Sequence, residues 1–120
     1  MAFNAGNPFK GEVVDANAGG AGAVVTLYMQ GEATAHTLAA DERLNVTDVL
    51  FVSTTGGVYD LFFGTSTGAG KHVVKGNAAA LGGIAHHFET PISGPLATNL
   101  WLTAAAGQID LVVSGYITRG

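Results

Sequence analysis

The stretch that decides the fold class is residues 108–118, Gln108-Ile109-Asp110-Leu111-Val112-Val113-Ser114-Gly115-Tyr116-Ile117-Thr118. Ile109, Leu111 and Val113 fall on one side of an extended chain, with Gln108, Asp110, Ser114 and Tyr116 on the other. A period of two marks a half-buried β-strand, because successive side chains of a strand point to opposite faces. No segment keeps helical apolar spacing over three turns, so the regular structure of this chain is expected to be sheet.

The same texture continues outward from this strand. Asn99–Thr103 sets Leu100 and Leu102 against Trp101, and Ala104-Ala105-Ala106-Gly107 turns the chain into the last strand. Ile84–Thr90 reads as a strand stopped by Pro91, and Lys71–Lys75 as a short one around Val73 and Val74. Val58–Phe63 puts Tyr59, Leu61 and Phe63 on one face. Thr54-Thr55-Gly56-Gly57 predicts a hairpin joining it to Asn45–Ser53. In Asn45–Ser53 apolar residues occupy both parities (Val46, Val49, Leu50, Phe51, Val52), which predicts a strand covered on both faces. Val24–Met29 alternates, Ala33–Leu38 does so weakly, and Ala78–Leu81 fits one helical turn. The 18 glycines are about twice the usual share and fall between these segments, where tight turns need positive φ. About eight short strands result, and the fold class they predict is all-β: an antiparallel β-sandwich, jelly-roll-like. Residues 1–10 read as an N-terminal arm that crosses onto a neighbour, and 11–120 as a single domain.

Charge is scarce. Five Lys and Arg with nine Asp and Glu make 12% of the chain, against roughly 25% in an ordinary domain. A folded monomer of this size exposes about 6,000 Å². So bland a surface suits a chain that faces other protein, since interface cores are depleted of charge. The net charge of −4 and five scattered cations argue against nucleic acid, which requires a basic face. No apolar run is long enough to span a membrane, and the N-terminus lacks the pattern of a secretory signal. With no cysteine, disulfides and thiol chemistry are excluded.

Motifs for chemistry are weak. Gly64-Thr-Ser-Thr-Gly68-Ala-Gly70-Lys71-His72 fails as a P-loop: Thr65 stands where a glycine is required, and His72 where Ser or Thr would reach Mg²⁺. His86 and His87 are adjacent on a strand and point to opposite faces, so they cannot chelate one ion together. His36, His72, His86 and His87 have no assignable role, and a metal site would need ligands from another strand or subunit. The carboxylates are dispersed and no Ser sits in a nucleophile elbow. The chain therefore reads as a non-enzyme without metal or cofactor.

Two stretches, Leu44–Ser53 and Asn99–Thr103 with Gln108–Ile117, resemble the small jelly-roll proteins that decorate tailed-phage heads, known as decoration or cement proteins. The resemblance covers residues 30–118 and rests on small residues, glycine turns, few charges and a final Gly115-Tyr116-Ile117. It implies a homotrimer on the capsid surface, made in the host cytoplasm, binding sister copies and the major capsid protein and gripping the shell with an N-terminal arm. Phe3, Phe9, Tyr59, Phe63 and Trp101 are the expected subunit or shell contacts. The alternative is a carbohydrate- or receptor-binding jelly roll with Trp101, Tyr59 or Tyr28 as its aromatic platform.

Overall fold

The computed structural model describes residues 6–16, 23–53, 56–64, 71–78, 81–104 and 109–120. Nine strands form among them: β1 (Asn7–Ala16), β2 (Ala23–Val24), β3 (Thr26–Met29), β4 (Glu42–Ser53), β5 (Gly57–Phe63), β6 (Lys71–Ala78), β7 (Gly82–Ser93), β8 (Leu100–Ala104) and β9 (Ile109–Arg119). One sheet has the order β3-β1-β9-β4-β7 and the other β2-β8-β5-β6, with every pairing antiparallel.

With β3 set aside, the pairs are nested. β5 pairs with β6, β4 with β7, β2 with β8 and β1 with β9. This is one long antiparallel ribbon, rolled so that β4 meets β9 and β5 meets β8. The rolled ribbon is the jelly roll, an arrangement that covers both inner faces without a helix. β3 adds a ninth strand beside β1. Four strands run ten residues or more, longer than the short strands expected.

The core lies between the sheets. Phe9, Leu27, Leu44, Val46, Val49, Phe51, Leu111, Val113 and Ile117 close it from one side, and Tyr59, Leu61, Phe63, Leu100 and Leu102 from the other. Phe51 and Tyr59 meet across it with ring centroids 3.8 Å apart.

Several sequence expectations need correction. Gly56-Gly57 closes no hairpin: β4 and β5 lie in different sheets, so this turn carries the chain across the sandwich. Both glycines have positive φ, and the buried Ser53 Oγ accepts the Gly56 N–H at 2.8 Å. Residues 7–10 are not an arm, because β1 begins at Asn7 and is flanked by β3 and β9. β7 continues through Pro91 to Ser93, tolerable because β7 is a sheet edge and residues 88–91 lie out of register opposite Thr47. Residues 33–38 form no strand and are tied to β3 by a single bridge, Leu27 to His36. Ala78 ends β6 and Leu81 is in a turn, while the rest of the helical turn expected there lies outside the described residues. The 65–70 loop and 105–107 also lie outside them.

Past Thr47, β4 is covered on one face only, with Val49 and Phe51 buried and Leu50 and Val52 exposed. Thr47 is an extra residue against β9, where Val46 pairs with Gly115 and Asp48 with Ser114. The bulge switches the inward parity from Leu44 and Val46 to Val49 and Phe51. Leu50 and Val52 are thereby turned outward.

Candidate functional site

The outer face of the five-stranded sheet is built from three rows of cross-strand neighbours. The middle row runs Thr26, Glu12, Val112, Leu50, Ala85. The next runs Tyr28, Lys10, Ser114, Asp48, His87, and on the other side Asp110, Val52 and Gly83 are neighbours. Leu50, Val52 and Val112 are 42%, 46% and 39% exposed, which puts three large aliphatics in water near the centre of a sheet and not at its rim. A depression of about 270 Å³ lies over Leu50, Val112 and Ala85.

His87 and Asp48 border this patch. His87 Nδ1 lies 2.7 Å from Asp48 Oδ1, and the Thr47 hydroxyl is 2.8 Å from Asp48 Oδ2. The hydrogen bond from His87 and then that from Thr47 hold the Asp48 carboxyl below its ordinary range. His72 makes a similar contact with Asp60 on the other sheet, at 2.8 Å. His86 points inward, as its parity requires, with Nε2 3.3 Å from the Tyr59 hydroxyl. Burial raises the Tyr59 pKa. Among the described residues no three His, Asp or Glu side chains converge on one point.

A second feature lies at the β3 edge. A cleft of about 500 Å³ opens between β1, β3 and the turn after it, lined by Lys10, Glu12, Tyr28, Gln30 and Glu32 among others. A smaller depression of about 400 Å³ adjoins it through Pro8, Met29, Gln30 and Glu32 and reaches His36, Glu42 and Arg119. Glu42 is buried there at the start of β4. Its Oε1 accepts the Ala39 N–H at 2.9 Å and faces His36 Nε2 at 3.0 Å, while Arg119 sits 3.8 Å from Oε2 and 3.1 Å from Asp41. The Ala39 N–H is the main cause that holds the Glu42 carboxyl below its ordinary value; burial opposes it, and His36 and Arg119 assist. This cluster fastens segment 33–41 to the sheet.

The residues predicted as contacts are scattered by the fold. Phe9, Tyr59 and Phe63 are 3%, 1% and 1% exposed and belong to this chain's own core, so none of them is available to a neighbour. Phe3 lies outside the described residues. Trp101 is half-buried on the face of β8 opposite Leu100 and Leu102. It pairs with Phe62, which points out of the inner core yet is fully buried. Alternation in Val58–Phe63 had already placed Tyr59 and Phe63 on one face, but nothing in the sequence said which face is inner. The outward position of Leu50 and Val52 is not legible in the sequence because the bulge at Thr47 hides their parity, whereas that of Val112 follows from the alternation of β9. Of the three candidates for an aromatic platform, Tyr28 lines the cleft at the β3 edge.

No protein-family model and no curated protein sequence matches the chain. Solved structures do match. Eiger TNF from S. frugiperda superposes with a TM-score of 0.49 at 9% identity, over 96% of this chain and 92% of that one. A chain of the disulfide-linked pili of Bacillus endospore appendages gives 0.45 at 13%, over 99% and 95%. Tobacco streak virus coat protein gives 0.45 at 10%, over 94% and 87%. At such identities the likeness is one of β architecture alone.

Proposed function

We propose that the chain is a structural virion protein that decorates and stabilises a phage capsid shell as a homo-oligomer, specifically a trimer. The observation that carries the assembly role is the Leu50, Val52 and Val112 patch at the centre of the outer sheet face. Aliphatics placed there are of no use to the monomer's core, and covering them with protein removes apolar area from water at about 25 cal/mol per Å². The scarcity of charge over the whole chain supports the same reading, and so do the stretches 44–53 and 99–117 that resemble decoration proteins. The contact partners are sister copies and the major capsid protein, at the capsid surface. Holding surfaces together requires neither catalysis nor a cofactor.

Light scattering at micromolar concentration tests the assembly. A mass three times 12.1 kDa is expected, and Leu50→Asp with Val112→Asp should return it to 12.1 kDa without loss of the β spectrum. Co-sedimentation with empty phage heads tests the shell partner. A monomer that stays in the supernatant would end this reading.

A further inference from the structure

We infer that the cleft between β1, β3 and the turn at residues 30–33 binds a neutral polyhydroxylated ligand, a short oligosaccharide. The inference is independent of the assembly role, which uses the centre of the sheet. The cleft's volume of about 500 Å³, with about 400 Å³ adjoining, falls in the range of small-molecule sites.

Charge decides the ligand class. The cation of the cleft, Lys10, lies 3.3 Å from Glu12, and Arg119 of the adjoining depression pairs with Asp41 and Glu42. A phosphate or carboxylate ligand would compete with Glu12 for Lys10 and would face the Glu32 carboxylate of the same lining. Among the described residues, three polar groups of the lining make no hydrogen bond or ion pair: the Tyr28 hydroxyl, the Gln30 amide and the Glu32 carboxylate. The amide offers donors and an acceptor in one plane and the carboxylate two acceptors, the pattern that grips a pair of adjacent hydroxyls. The half-exposed Tyr28 ring supplies an apolar face against which the C–H side of a sugar ring packs. Backbone groups at the β3 edge are partly taken by the bridge from His36, which disfavours an added peptide strand.

The test is a printed array of plant, bacterial and animal oligosaccharides, followed by calorimetric titration of the best binder. Tyr28→Ala should weaken binding about tenfold, the scale of one lost aromatic contact, while Tyr28→Phe retains most of it. Gln30→Ala, at an exposed turn position that leaves the fold intact, should weaken binding as well. Leu81→Ser, on a remote turn, should leave it unchanged, and raising the salt should have no effect because the ligand is uncharged. An array with no binder overturns the inference. So does binding that survives both Tyr28→Ala and Gln30→Ala, or binding that salt abolishes. None of these outcomes changes the mass found by light scattering, so the two readings fail separately.

Discussion

Glu42 is the one carboxylate buried in the described structure, and its surroundings determine how the protein responds to acid. Its folded pKa is depressed, so it contributes stability that is present above the unfolded value near 4.3 and is lost as pH falls through the folded value. Asp48 shifts in the same direction, through His87 and Thr47. Urea unfolding should therefore show a midpoint that declines below about pH 4.5. Glu42→Gln keeps an acceptor for the Ala39 N–H but removes the charge. It should cost roughly 1–2 kcal/mol at neutral pH and almost nothing in acid, where the wild-type carboxyl is protonated too. An equal loss at both pH values would assign Glu42 a packing role only. Gly115 answers to a steric limit instead. A Cβ there would run into the Asn45 carbonyl oxygen, which belongs to a neighbouring backbone and cannot swing aside. Gly115→Ala should therefore cost on the order of 3 kcal/mol or more, read as a lowered thermal midpoint.

At the scale of the element, β4 shows how one residue changes a reading. Were Thr47 paired in register instead of bulged, the strand would continue its even parity, and Asp48 and Leu50 would face the core. With the bulge, Val49 and Phe51 face it, and Leu50 goes to solvent. The apolar residues at both parities of residues 45–53 were legible in the sequence. Two covered faces and one bulge give the same pattern, and only the register against β9 separates them. Neighbouring substitutions should accordingly behave in opposite ways. Val49→Asp places a charge at a site 2% exposed and should abolish the cooperative melt. Leu50→Asp should melt close to the wild type. If both variants fold, the bulge is misplaced.

For the whole molecule, the rolled ribbon gives a body 49 × 28 × 26 Å with two outer faces of different character. The five-stranded face carries the central aliphatic patch, and beyond it the polar cleft at the β3 edge. The other face carries Trp101 over buried Phe62, and the His72–Asp60 pair. Association through the aliphatic patch is driven by removal of apolar surface, not by ion pairs. Sedimentation velocity should thus find the oligomer intact in concentrated sodium chloride and strengthened in sulfate. Dissociation by sodium chloride alone would point to the Lys10–Glu12 and Asp48–His87 flanks as the adhesive elements instead.

The sequence by itself determined the β class, the location of most strands, that Trp101 lies on the face opposite Leu100 and Leu102, and the opposite faces of His86 and His87. All of these follow from the period of two, a property of each strand taken alone. It also determined the poverty of charge, which is composition. Only the tertiary structure decided which strands pair, that Gly56-Gly57 crosses between sheets, that Phe9, Tyr59 and Phe63 face inward, and that Leu50 and Val112 are neighbours on an open face. The reason is physical. A strand's hydrogen-bonding edges are satisfied by whichever partner the rolled ribbon brings alongside, even one more than a hundred residues away (Asn7 meets Ile117), and local sequence carries no record of that partner.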